Sequence, residues 1–105
     1  MTRQRMPRYE NRQLLNIARE APSCFVRLRK CSGLPTMPAH SNLQRHGRGF
    51  SYKSHDCYVV PACQACHYEI DSGKNLTREE KEQAFTKALE EYWLWLWVNE
   101  KIKVA

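Results

Sequence analysis

Pro61-Ala-Cys63-Gln-Ala-Cys66-His67-Tyr-Glu-Ile-Asp71 places two cysteines three residues apart just after a proline. Proline interrupts a strand and is compatible with the start of a helix, so we expect a helix to begin near Cys63. Two cysteines at this spacing on a first helical turn can both bind one tetrahedral zinc ion. The middle of the chain is therefore expected to be organised around a metal ion.

A second pair of cysteines precedes this motif. Cys24 and Cys31 bound a stretch in which apolar and basic side chains alternate, a pattern typical of a strand with one face on a core. We expect a structural zinc ion with four thiolate ligands: Cys24, Cys31, Cys63 and Cys66. The fifth cysteine, Cys57, is interpreted as a small apolar residue, although its use in place of Cys24 or Cys31 would make the zinc site local.

Helical geometry separates His67 from the zinc ligands. Successive helical residues are rotated by about 100°, so His67 points away from the thiol of Cys66. Asp71 lies one turn further on and on nearly the same face. The two side chains could hold a second ion, or Asp71 could orient the imidazole. Asp71 is equally interpretable as a solvated carboxylate or as a cap before Gly73.

Length and composition limit the architecture to one small unit. A chain of 105 residues with 42% hydrophobic residues suits a single domain that gains from a metal clamp. We expect a flexible basic arm over residues 1–8 and a single domain over residues 9–105. The sequence begins without the apolar segment of a secretory signal, so we expect a cytoplasmic protein with no membrane contact. In that reducing compartment, clustered cysteines favour metal over disulfides.

Positive charge is concentrated in the first half of the chain. Residues 1–55 carry eleven Lys or Arg and two acidic residues, a net charge of +9, whereas residues 56–105 carry a net charge of −3. Such a half would attract a phosphate backbone, although the first twelve residues could equally be a solvated tail. We expect DNA as the partner and no organic cofactor. The candidate nucleic-acid contacts are Arg27, Arg29, Arg45, Arg48 and Lys53.

Secondary structure is also predicted outside the cysteine motif. Residues 9–19 carry a short apolar stripe that Pro22 would terminate, so we expect one helix there. Residues 58–60 form a brief β-prone run that we expect to stop at Pro61. Residues 37–42 are expected to lead into a polar loop that continues through Gly47 and Gly49.

The last third of the chain predicts a long helix. Thr77 and Glu80 form a capping box in front of it. An apolar stripe at spacings of four, three and four follows and predicts a buried face: Phe85, Leu89, Tyr92 and Leu96. Trp95 and Trp97 fall off this stripe, so they are expected to pack over the metal lobe, to pair two subunits in a homodimer or to stack on a base.

Several of these segments together resemble one family. The chain resembles the YbcO-like small nucleases of prophages over about residues 22–73, roughly half of its length. The segments that carry the resemblance are Cys24 and Cys31, Ala39-His40-Ser41-Asn42, Arg45-His-Gly-Arg-Gly49, Lys53 followed by Asp56, and Cys63-Gln-Ala-Cys66-His67-Tyr-Glu-Ile-Asp71. The combination of Ala-His-Ser-Asn with Cys-x-x-Cys-His-x-x-x-Asp is specific, whereas either element alone is weak.

The resemblance implies a small α+β fold with a zinc-knuckle ββα-metal core, HNH-like and of treble-clef type. An N-terminal helix and a long C-terminal helix would flank this core. It also implies that His40 is the general base and that His67 binds the catalytic metal. Asp56 lies near the usual place of the middle Asn. The acidic ligand that precedes the first His in many HNH sites is replaced by Ala39.

Phosphodiester hydrolysis requires an activated water, stabilisation of charge on the phosphate and help for the departing oxygen, and the sequence offers a candidate group for each. His40 could take a proton from water, and Asn42 could orient His40 or the phosphate. Mg²⁺ or another divalent cation could be held by His67 with Asp56 or Asp71. We therefore expect a phage-type metal-dependent endonuclease acting on DNA in a bacterial host cell, in recombination or DNA processing. Two alternatives stay open: a non-catalytic zinc-stabilised DNA-binding protein, and a phage interaction protein that docks through residues 93–97.

Overall fold

A computed structural model of the protein describes residues 8–48 and 53–102. Most of the predicted N-terminal arm and Gly49 thus lie outside the described residues. The elements are α1 (Arg12–Arg19), β1 (Thr36–His40), a short 3₁₀ helix (Gln44–His46), β2 (Val59–Cys63), α2 (Gln64–Asp71) and α3 (Arg78–Val98). This order confirms a small α+β architecture. Among the described helices, none has the length and apolar character needed to cross a membrane.

The two strands form an antiparallel ribbon that brings the histidine segment to the cysteine motif. Thr36 pairs with Cys63, and His40 pairs with Val59. The predicted end of the second strand at Pro61 is wrong, because β2 runs through Pro61, which lies opposite Pro38. A two-stranded sheet has only edge strands, where a missing N–H is tolerated. Residues 37–42 lead toward the loop after β1, and the first four of them belong to β1.

The strand predicted between Cys24 and Cys31 is absent from the described structure, and this prediction is wrong. Arg27 adopts a left-handed conformation with φ of 52°, which interrupts any extended run. The Cys31 N–H donates to the Leu28 carbonyl in a tight turn. The N–H groups of Leu28 and Ser32 donate to the sulfur atoms of the second cysteine pair, so they are not available to a neighbouring strand.

The helix ends follow local capping chemistry. α1 begins at Arg12 and not at Tyr9, because the Asn11 side chain caps it by accepting from the Leu14 N–H. The capping box before α3 is confirmed: the Thr77 hydroxyl accepts from the Glu80 N–H, and the Glu80 carboxylate accepts from the Thr77 N–H. The structure therefore places α3 where the sequence predicts it.

The core joins α3 to the loop that carries the first cysteines. The predicted apolar stripe of α3 is buried throughout. The ring of Tyr92 lies 5.3 Å from that of Phe25, centroid to centroid, in an edge contact. Trp95 stacks on Tyr92 at 5.9 Å, which places it over the core. Trp97 is half exposed, and the Trp93 indole N–H donates to the Cys57 carbonyl. The three tryptophans therefore have different surroundings.

Candidate metal centre and histidine site

The structure brings the four predicted cysteines together. The sulfur atoms of Cys24, Cys31, Cys63 and Cys66 all lie within 4.8 Å of one another, and those of Cys31 and Cys63 are 3.8 Å apart. Zn–S bonds of about 2.3 Å in a tetrahedron place the sulfur atoms about 3.8 Å apart, whereas a disulfide requires about 2.05 Å. The cluster could therefore hold a metal ion, and three of its four cysteines are buried.

Backbone N–H groups around the cluster favour the ionised form of Cys63, whereas burial raises the pKa of the Cys31 and Cys66 thiols. The Leu28 N–H donates to Cys66 Sγ, and the N–H groups of Ser32 and Cys66 donate to Cys63 Sγ, at 3.4 to 3.5 Å. Burial opposes ionisation of Cys63, but the hydrogen bonds from Ser32 and Cys66 outweigh it and lower the pKa of this thiol to about 5. A metal ion binds the thiolate form, so this environment suits a metal ligand.

The fifth cysteine lies outside this cluster. Cys57 is half-buried, and burial raises the pKa of its thiol. Over residues 8–48 and 53–102, the cysteine quartet is the only group of three or more His, Cys, Asp or Glu side chains arranged to hold a metal. The quartet draws its ligands from the loop before β1, the end of β2 and the first turn of α2. A bound ion would link these three segments.

A histidine and a carboxylate meet at the end of the ribbon. His40 Nε2 lies 2.8 Å from Asp56 Oδ1. The His40 side chain is 14% exposed and that of Asp56 is 3% exposed. Asp56 also accepts from the Asn11 N–H at 2.7 Å and from Arg8 Nη2 at 2.9 Å. The carboxylate thus fixes the imidazole and joins it to the segment before α1.

The contacts of Asp56 determine its ionisation. Burial alone would raise the pKa of Asp56, but the hydrogen bonds from His40 and Asn11 and the charge of Arg8 together lower it. The carboxylate is therefore ionised at neutral pH. Sequence reasoning missed Arg8 as a contact of this site, since it placed this residue in the N-terminal arm. A lone arginine beside a proline carries no local signal of a contact with a residue 48 positions later.

A second histidine–carboxylate pair lies on α2. His67 Nε2 lies 3.0 Å from Asp71 Oδ2, as the helical spacing predicts, and His67 Nδ1 lies 3.0 Å from Met37 Sδ. The Asn42 side chain donates to Asp71 Oδ1 at 3.0 Å. Because Asn42 follows β1 by two residues, this bond connects the histidine of β1 to the pair on α2 through the chain.

Of the two carboxylates predicted to bind a cation with His67, Asp71 lies beside it at 3.0 Å. His67, Asp56 and Asp71 together do not form a metal-holding group in the described part of the chain. Asp56 instead contacts His40 and Arg8. Asp56 makes these contacts because it precedes β2, where its oxygens accept from Arg8 and from the Asn11 N–H in the segment before α1.

The other two histidines have structural contacts. His46 Nδ1 lies 2.6 Å from the hydroxyl of the buried Ser41, and its ring stacks on Tyr58 at 4.1 Å. Burial lowers the pKa of His46, and the charge of Arg45 adds to this effect. His55 Nδ1 accepts from the Tyr9 N–H at 2.8 Å. Both rings therefore shape the loop that follows β1.

The predicted nucleic-acid contacts do not share one surface. Arg45 and Arg48 line a groove beside Asn42. Arg29 lines a separate depression next to Cys66. Arg27 is exposed and pairs with Glu91 at 2.7 Å. Lys53 is exposed in the loop before β2. Only two of the five predicted residues thus border the surface next to the second histidine pair.

Comparisons with known proteins do not assign this chain to a family. No protein-family model, curated protein or solved structure matches this chain. The resemblance to the prophage nucleases therefore rests on the motif residues themselves.

Proposed function

We propose that this chain is a zinc-stabilised, HNH-like endonuclease that hydrolyses phosphodiester bonds of DNA with the help of a divalent cation. The observation that carries the proposal is the pairing of two histidines with two carboxylates on adjoining elements. His40 pairs with Asp56 at the end of β1, His67 pairs with Asp71 on α2, and Asn42 bonds to Asp71. The order of strand, strand and helix agrees with a ββα-metal core.

His40 is the proposed general base. A carboxylate next to Nε2 favours the tautomer that carries its proton on Nε2, and this leaves Nδ1 as the proton acceptor. Asp56 is ionised and nearly fully buried, so it can hold the ring in one orientation and stabilise the imidazolium that forms. The partial exposure of His40 leaves room for a water molecule to reach the ring.

Two kinds of metal site are proposed. Zinc in the cysteine quartet would be structural, because four protein ligands leave no open position for substrate. His67 and Asp71 would hold the second, divalent cation, with its other positions filled by water and phosphate oxygens, as Mg²⁺ commonly requires. That cation would supply charge stabilisation for the phosphate and the departing oxygen. Asn42 orients Asp71 through its hydrogen bond.

A non-catalytic DNA-binding role is the second candidate. One observation favours it: His67 and Asp71 are not joined by a third His, Cys or carboxylate ligand among the described residues. Under this alternative the cysteine quartet stabilises the fold and the basic side chains bind phosphate without cleavage. An origin in a phage or prophage and a role in recombination are suggested only by the family resemblance.

Cleavage assays separate the two candidates. Supercoiled and branched DNA are incubated with the zinc-loaded protein and Mg²⁺, Mn²⁺ or Ni²⁺. We expect nicking by the parent chain, loss of nicking in His40→Ala, and retention of DNA binding and zinc content in that variant. His55→Ala, which removes a neighbouring imidazole, is the matched control and should retain cleavage. Binding without nicking under all three ions would overturn the nuclease proposal and support the alternative.

A further inference from the structure

A basic groove lies between the loop after β1 and the start of α3. Its volume is about 840 Å³, within the range of roughly 300–1,000 Å³ typical of ligand sites. Buried Ile70 and Phe85 form its apolar base. Arg78, Lys81 and Glu82 lie on the same face of α3 as Phe85, because these positions are separated by three or four residues. The groove therefore has a fixed helical wall.

The lining is predominantly positive. Four cationic side chains border the groove: Arg45, Arg48, Arg78 and Lys81. Glu82 is the only acidic residue among the described lining residues, and it pairs with Arg45 at 2.7 Å. The Lys81 ammonium donates to the Gly73 carbonyl at 2.6 Å, which positions it and leaves two of its three protons for another acceptor. The groove thus retains a net positive charge.

The groove borders the second histidine pair at Asn42. Asn42 lines the groove and also donates to Asp71, which lies 3.0 Å from His67. A phosphate chain that contacts Asn42 in the groove would therefore lie one side chain away from Asp71. This shared residue distinguishes the groove from the depression beside Cys66, which borders the cysteine quartet.

From this arrangement we infer that the groove binds the phosphodiester backbone of the DNA strand and that Arg78 and Lys81 contact its phosphates. The inference rests on the proposed function and states where its DNA substrate binds. It adds two contacts from the acidic half of the chain, where the sequence predicts none. Arg48 would contact the same strand from the opposite side, while Arg45 is partly neutralised by Glu82.

The salt dependence of DNA binding tests the inference. Anisotropy of a labelled duplex of about 20 base pairs is measured from about 50 to 200 mM salt, without added divalent cation. Arg78→Gln and Lys81→Gln should each reduce the slope of log affinity against log salt by about 0.9, the value for one lost phosphate contact. Arg78→Lys keeps the charge and should retain the slope.

Lys101→Gln is the matched control. It removes the same charge beyond the far end of α3, whose last residue lies about 25 Å along the helix from Lys81, and should leave the slope unchanged. The groove assignment is overturned if Arg78→Gln and Lys81→Gln bind as Lys101→Gln does, or if the parent chain does not bind DNA. Groove-dependent binding without nicking would instead overturn only the proposed catalysis. Circular dichroism and zinc content verify that each variant is folded.

Discussion

Asp56 Oδ1 lies 2.8 Å from His40 Nε2 and joins the last residue of β1 to the loop before β2. The same oxygen lies 2.9 Å from Arg8 Nη2, and the second carboxylate oxygen accepts from the Asn11 N–H. One buried carboxylate therefore connects three segments of the chain. Its removal is expected to affect both stability and the orientation of the proposed base.

Asp56→Asn should lower the free energy of unfolding at pH 7 by roughly 1–3 kcal/mol, since it weakens several buried hydrogen bonds. The folded pKa of Asp56 lies below that of the unfolded chain, so the carboxylate stabilises the fold above about pH 4 and loses this effect as the pH falls through the folded value. The difference between variant and parent should therefore shrink on acidification. Urea unfolding of parent and variant side by side, from about pH 7 to pH 3, measures this difference, because the loss of zinc on acidification affects both chains alike.

Glu10→Gln provides the control for this substitution. Glu10 contacts the same Arg8, but its side chain is 69% exposed. Exposed ion pairs contribute about 0–1 kcal/mol, so this variant should unfold nearly as the parent does. An Asp56→Asn variant as stable as Glu10→Gln at neutral pH would contradict the structural role assigned to Asp56.

The elements predicted from sequence are those that local chemistry determines. The capping box of Thr77 and Glu80 and the stripe from Phe85 to Leu96 involve neighbours within one helix, so their spacing suffices. The pair of His67 and Asp71 follows from helical spacing in the same way. The cysteine quartet could be predicted because the spacing of Cys63 and Cys66 is typical of half of a zinc site.

Features that depend on tertiary contacts could not be predicted from the sequence. The alternation of apolar and basic residues between Cys24 and Cys31 is typical of a strand, but the chain turns at Arg27 and the Leu28 N–H donates to Cys66 Sγ. Asp56 pairs with His40 because the loop before β2 lies against the end of β1, a tertiary contact that the sequence pattern does not specify. Arg78 was not predicted as a contact because the second half of the chain has a net negative charge, and this average does not show that Arg78 lies on the wall of a basic groove.

Gly47→Ala should destabilise the loop after β1 more than a typical glycine substitution. Gly47 has φ of 93°, and a Cβ atom there would lie 2.6 Å from the His55 ring. The variant therefore combines a left-handed strain of about 1 kcal/mol with displacement of the imidazole. Thermal unfolding should show a larger loss than Gly33→Ala, where φ is 80° but the space is open. Equal losses would contradict the close packing of His55 on Gly47.

Tyr92→Phe should leave stability unchanged or raise it. The Tyr92 hydroxyl is buried without a hydrogen-bond partner among the described residues, so removing it abolishes an uncompensated desolvation cost. Tyr92→Ala should instead cost about 3–5 kcal/mol, because it removes the ring that packs on Phe25 and Trp95. Urea unfolding of both variants tests this, and a strongly destabilised Tyr92→Phe would show that the hydroxyl has a partner.

Removal of the metal should unfold the segments that carry Cys24, Cys31, Cys63 and Cys66. Cys31→Ser is expected to weaken zinc binding, because the site loses one of four thiolate ligands. Cys57→Ser should bind zinc as the parent does, since Cys57 lies outside the quartet. Zinc competition with a chromophoric chelator, followed by circular dichroism, compares the variants. Equal loss of affinity in both would contradict the assigned ligand set.

The proposed fold and site depend on one zinc ion bound by Cys24, Cys31, Cys63 and Cys66. X-ray absorption at the zinc edge, combined with metal analysis of the purified chain, tests it most directly. We expect one zinc per chain with four sulfur neighbours at about 2.3 Å, unchanged in Cys57→Ser. A metal-free folded chain, disulfides among these cysteines, or zinc with mainly nitrogen and oxygen neighbours would contradict it.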